Sequence, residues 1–199
     1  MLDVRERALR MAKIRIYLAG PLGFSEAGRH FYTRVLIPHV RRLGGEVLDP
    51  WTLTDARRIR RVQGMPYGRA KREAWRKLNL EMGATNRAAI DAAGVIVAVL
   101  DGTDVDSGTA AEIGYAFARG KAIVGYRGDF RLSADNEGST VNLQVEYFIR
   151  ASGGSIVERY QDLGRALGAA MRSRGPAVRR AIRATGAAGR RPGGRRSVR

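Results

Sequence analysis

Cysteine is absent from the 199 residues. That excludes disulfides, thiolate metal sites and a cysteine nucleophile, and it suits a reducing cytoplasm. Histidine is scarce: only His30 and His39 occur, in one segment. Neither a His-rich metal site nor a Ser-His-Asp triad is expected, and both histidines read as structural. No apolar run approaches the ~20 residues that span a bilayer. The N-terminus MLDVRERALR is charged throughout and has no apolar signal core. The expectation is a soluble, cytoplasmic protein without membrane contact. GxGxxG is missing, as is a Walker motif with its lysine, and no cofactor or metal is expected.

Acidic residues are missing from the far end. Residues 172–199 hold ten arginines and no acid, and residues 57–77 hold nine Lys or Arg against a single Glu. These two stretches account for the net charge of +17, so the rest of the chain is close to neutral. A basic tail can bind phosphates without specificity, but the favoured reading of 175–199 is a solvated, disordered tail. Residues 1–11 read as an N-terminal extension, and 12–174 as one domain.

Short apolar runs alternate with helical patterns. Strands are expected at 13–20, 46–50, 95–101, 121–126 and 155–157. Helices are expected at 25–44, 78–94, 109–120, 141–154 and 160–174. Ser25 reads as a helix cap and Pro38 as a kink. The basic segment 55–77 has no clear period and reads as a mobile, partly helical loop. Uniformly apolar strands separated by helices imply a parallel sheet covered on both faces. The predicted fold is α/β: a flavodoxin-like or Rossmann-like three-layer sandwich with a five-stranded parallel sheet. Ligands in such folds gather at the carboxyl ends of the strands. AGPLGF, DP and DGTDVDSG fall there.

A phosphate cradle is one use for those loops, since GPLGF and DSGTAAE each lead into a helix. Asp101, Asp104 and Asp106 crowd the second loop and would repel a pyrophosphate. A carboxylate site is the other use. Asp106 and Glu112 flank a loop-to-helix junction, with Ser107 or Thr109 as the expected cap. A helix start favours the ionised form of Glu112. An ionised carboxylate is a competent nucleophile for an anomeric carbon, through an oxocarbenium-like transition state. The plainer reading of Glu112 is a charge that complements the helix dipole.

IYLAGPLGFSEA, VIVAVLDGTDVDSGTAAEIGYAFARGKAIVGY and VNLQVEYFI together resemble the nucleoside 2-deoxyribosyltransferase family, in the right order over roughly 13–160. The resemblance implies a flavodoxin-like fold and a reaction. The N-glycosidic bond of a 2'-deoxynucleoside is cleaved, the deoxyribosyl group is held on a glutamate, and it passes to another free nucleobase. It implies Glu112 as nucleophile, Asp106 as the ligand of the 5'-hydroxyl and Tyr17 as the residue that orients the nucleophile. Gly20, Pro21, Phe24, Asp101 and Gly108 are expected at the substrate. Asn142 is expected to reach a neighbouring subunit's site, which makes the active unit a homodimer or a larger homo-oligomer.

One departure concerns the leaving base. Where the family often carries an aspartate, this chain has Asn86. An asparagine can hydrogen-bond a base edge but cannot protonate it. The proton then comes from Asp91, Asp101 or water. Phe24 and Trp51 could stack on a base. The nearest alternative activity is hydrolysis of 2'-deoxynucleoside 5'-monophosphates, which Asp106 would disfavour by repelling the phosphate. The alternative of another kind is a non-catalytic nucleotide- or nucleic-acid-binding module that uses the arginine tail.

Overall fold

The computed structural model describes residues 14–173. The expected extension 1–11, the outermost residues of the 12–174 domain and the tail 175–199 lie outside the described residues. Five strands form one sheet: β1 (Ile14–Ala19), β2 (Gly45–Leu48), β3 (Val95–Val99), β4 (Ala122–Tyr126) and β5 (Ile156–Val157). The order is β2-β1-β3-β4-β5 and every pairing is parallel. This is the flavodoxin-like order, which reverses direction between β1 and β3 and opens a crevice there.

Alternation along β1 divides its side chains between two cores. Ile16 and Leu18 pack with Val95, Val97 and Val124 against helices on one face; Tyr17 and Ala19 pack with Ile96, Ala98 and Ile123 on the other. All five residues of β3 are buried, and each large apolar side chain removed from water contributes roughly 1.5–3 kcal/mol. The first face carries helix α1, which runs through Glu26–Phe31, a π-helical turn Tyr32–Leu36 and Ile37–Arg42, together with α6 (Leu163–Arg172). The second face carries α3 (Arg69–Ala92), α4 (Ser107–Ala118) and α5 (Leu143–Ala151). α2 (Ala56–Gln63) stands against α3.

The expected Pro38 kink takes a specific form. Proline has no N–H for the carbonyl four residues back. The preceding turn widens, and the N–H of Ile37 donates to Tyr32 O, five residues back. Ser25 caps α1 as expected, its hydroxyl oxygen accepting from Gly28 N at 3.0 Å.

The basic segment departs from expectation. It is not a loop but two helices: Asp55 caps α2, accepting from Arg57 N at 2.8 Å, and α3 begins at Arg69, nine residues before the expected start. A sparse apolar stripe explains this. Val62 of α2 and Ala74 and Leu78 of α3 line one depression between the two helices, while most of the arginines are exposed, where helix propensity is good and no core contact is needed.

Candidate active site

β1 ends in Gly20, with φ of +155° and no room for a side chain: a Cβ there would lie 2.8 Å from Val99 Cβ. The chain then turns through Leu22–Phe24 and passes beneath Trp51. Gly23 permits that approach, since a Cβ on it would lie 2.2 Å from Trp51 Cε2. Phe24 and Trp51 meet edge to face, with ring centroids 4.7 Å apart. Their rings stand over a cavity of about 250 Å³ at the β1/β3 crevice, also lined by Gly20, Pro50, Met82, Asn86, Asp106, Gly108, Thr109 and Glu112.

Glu112 lies in the second turn of α4 and Tyr17 in β1. The Tyr17 hydroxyl donates to Glu112 Oε1 at 2.5 Å. Burial pushes the Glu112 carboxyl above its ordinary value, the Tyr17 hydrogen bond pulls it down, and the Asp106 charge pushes it up again, for a net rise. The helix start favours the ionised form of Glu112, as expected, and burial works against it. Burial, then the Glu112 carboxylate, drives the Tyr17 phenol far above its ordinary value. Tyr17 therefore stays a proton donor to Glu112.

The cap of α4 is Asp106, not Ser107 or Thr109. Its Oδ2 accepts from Thr109 N at 2.9 Å and from Thr109 Oγ1 at 3.1 Å. Among the described residues none donates to Oδ1, and the residue lines the cavity. One carboxylate thus both starts the helix and lines the cavity.

Beside this pair sits a second one. Tyr32 OH donates to Asp49 Oδ1 at 2.8 Å, and the same oxygen accepts from Trp51 N at 3.0 Å. Asp49 thereby fixes the turn that aims Trp51 at Phe24. The loops after β3 and β4 are tied by Arg127, which is 2% exposed. Its guanidinium donates to the carbonyls of Leu100, Gly102 and Arg131.

Six of the expected substrate and catalytic residues line one cavity: Gly20, Phe24, Asn86, Asp106, Gly108 and Glu112, with Tyr17 bonded to the last. Three do not line it. Pro21 lies in the turn that leads to Phe24, its carbonyl accepting from Phe24 N at 2.9 Å. Asp101 accepts from Gly128 N and Asp129 N and faces a separate depression with Tyr126. Asn142 caps α5, accepting from Gln144 N at 3.0 Å and donating to Asp135 Oδ2 at 3.3 Å. Asp91 accepts from Tyr115 OH at 3.0 Å and Arg119 Nε at 2.8 Å. The Tyr115 bond first, then Arg119, holds its carboxyl below the usual range. Pro50 belongs to the DP motif placed at the strand ends, whereas Met82 and Arg127 were not anticipated. Met82 was legible in principle, because it lies one turn before Asn86 on the same helix face.

The build is that of a flavodoxin-like α/β protein with a cavity at the topological switch point that holds one half-buried carboxylate, Glu112. Residues 16–144 match the family described as Nucleoside 2-deoxyribosyltransferase, and the chain belongs to that family, whose name denotes glycosyl transfer at nucleosides. No curated protein matches the sequence. Among solved structures, a conserved protein from Enterococcus faecalis V583 is similar at 24% identity and a TM-score of 0.56, over 78% of this chain and 97% of that one. The 2-desoxiribosyltransferase from Leishmania mexicana is similar at 23% and 0.51, over 78% and 95%. The 2-deoxyribosyltransferase from Bacillus psychrosaccharolyticus is similar at 21% and 0.50, over 75% and 90%. At these identities the likeness is one of fold. Among the described residues no helix is long and apolar enough to cross a membrane.

Proposed function

We propose that the protein is a nucleoside deoxyribosyltransferase: it moves a 2-deoxyribosyl group from a 2'-deoxynucleoside to a free nucleobase through an ester on Glu112. The observation that carries this reading is the 2.5 Å bond from Tyr17 to Glu112 in a cavity shared with Asp106. Tyr17 occupies one carboxylate oxygen and orients the other toward the cavity. That second oxygen bonds to C1' as the C1'–N bond breaks, and the electron pair leaves with the base. The departing base takes a proton from water. Asp91 and Asp101 are both engaged elsewhere, and Asn86 supplies a donor and an acceptor to the base edge. In the second half a nitrogen of the acceptor base attacks C1', Glu112 leaves as a carboxylate, and the acceptor loses its proton.

The free oxygen of Asp106 suits a 5'-hydroxyl donor and repels a 5'-phosphate. Free nucleosides are therefore the preferred donors over 5'-monophosphates. Phe24 and Trp51 give the base a stacking wall. Asn142 completes the site of a neighbouring copy in a homo-oligomer.

The test is incubation with 2'-deoxyinosine and free adenine or cytosine. A new deoxynucleoside is expected. Release of hypoxanthine without any new nucleoside would make the protein a hydrolase. Faster turnover of the 5'-monophosphate than of the nucleoside would overturn the substrate class.

A further inference from the structure

No residue of the basic stretch 57–77, in α2 and the first part of α3, lines the cavity, although Met82 and Asn86 further along α3 do. Between residues 57 and 77 stand nine cations and one acid. In the folded chain they sort by helical spacing. Arg57, Arg60 and Arg61 share one side of α2, and Arg69, Arg72 and Arg76 one side of α3; all six are exposed. Ion pairing absorbs little of this. Among the described residues Arg58 pairs with Glu81 and Arg69 with Glu73, and no other cation of the hairpin makes an ion pair. Arg58, Arg61 and Lys77 surround a depression of about 200 Å³ between the two helices, floored by Val62, Ala74 and Leu78.

An aromatic ring stands among these charges. Tyr67, at the tip of the hairpin, is 88% exposed. The Arg72 guanidinium lies 5.7 Å from its ring centroid. Nothing in the fold requires an aromatic there, because Tyr67 covers no core. Cations spaced along two helices, with an exposed ring between them, match the chemistry of a flexible polyphosphate chain that carries stackable bases. An acidic protein segment would use the charges but not the ring. Duplex DNA would present its bases already stacked.

We propose that the α2–α3 hairpin is a docking surface for single-stranded nucleic acid. The depression between Arg58, Arg61 and Lys77 seats a backbone phosphate, and Tyr67 stacks on a base. The surface is separate from the transfer site: docking needs neither Glu112 nor the cavity, so its failure and that of the proposed activity are distinguishable.

The experiment is fluorescence anisotropy of a labelled 20-nucleotide single strand with the full chain, titrated across salt. Three variants are compared. The first carries Arg57→Gln, Arg61→Gln, Arg76→Gln and Lys77→Gln. The second carries Tyr67→Ala. The third neutralises the tail through Arg190→Gln, Arg191→Gln, Arg195→Gln and Arg196→Gln. The hairpin variant is expected to lose at least about tenfold in affinity, and its salt slope to fall by about 3 for four lost contacts. Tyr67→Ala is expected to lose about fivefold or more. Deoxyribosyl exchange between free nucleosides should be unchanged in all three. The proposal is overturned if the tail variant alone loses binding, if wild-type binding is absent, if Tyr67→Ala binds normally, or if polyglutamate or duplex competes as well as the single strand. Circular dichroism keeps a folding defect in any variant from counting as lost binding.

Discussion

The Tyr17 hydroxyl and Glu112 Oε1 lie 2.5 Å apart, although 95 residues separate them in sequence. The sheet makes the meeting. β1 and β3 are neighbours, with Tyr17 opposite Ile96, and α4 returns across that face. A half-buried carboxylate receives one short hydrogen bond, and its residue lines the cavity.

The pH profile should report that contact. Glu112 must be ionised to attack, and its pKa is raised. Activity should therefore fall as pH drops through a midpoint above the ordinary glutamate value. Tyr17→Phe removes an influence that lowers this pKa, so the acid limb should move to higher pH. Asp106→Asn keeps a good capping residue and removes a charge that raises the pKa, so the limb should move to lower pH. Profiles of kcat/KM for the three proteins decide the matter; shifts in the same direction would contradict the arrangement.

Glu112→Gln should reduce exchange about 10³-fold or more. Its effect on stability should have the opposite sign. The folded pKa of Glu112 lies above its unfolded value, so the native state holds that proton more tightly. Wild type then loses stability as pH rises from the unfolded pKa through the folded one, and the uncharged variant escapes that loss. Thermal melts at pH 4 and pH 8 should show the variant gaining on wild type at the higher pH.

Trp51→Ala should act on binding. Stacking on an aromatic is worth roughly 1–3 kcal/mol per base, so KM for the nucleoside should rise by about 5- to 100-fold with a smaller change in kcat. Steady-state kinetics with one donor and a saturating acceptor separates the two.

Tyr32→Phe should act on the fold. It removes a donor from the buried Asp49 carboxylate, and an unsatisfied buried group costs about 1–3 kcal/mol. A fall in Tm of about 2–4 °C per kcal/mol is expected at this size. Trp51 loses part of its anchoring, so tryptophan fluorescence should change as well.

The sheet was readable because its strands are short and apolar: VIVAVLD and KAIVGY needed no tertiary information. The Glu112 loop was readable because its spacing is distinctive. What escaped depends on contacts between distant segments. Arginine-rich α2 and α3 carry few apolar positions, and Val62, Ala74 and Leu78 come together around one depression between the helices, a juxtaposition invisible in either segment alone. The upward push on the Glu112 carboxyl was not legible, because burial is not visible in sequence. Asp101 looked like a site residue by position, yet it spends its carboxylate on the amides of Gly128 and Asp129. Arg127 gave no signal, since a buried cation held by carbonyls leaves no partner to search for.

Arg127 gathers carbonyls from the segment after β3 and the segment after β4 onto one guanidinium. The two loops at that rim are consequently not independent modules. Grafting either from a relative to alter base preference would strand the arginine's donors in the interior, so the pair must be exchanged together, with the arginine kept as their common pin.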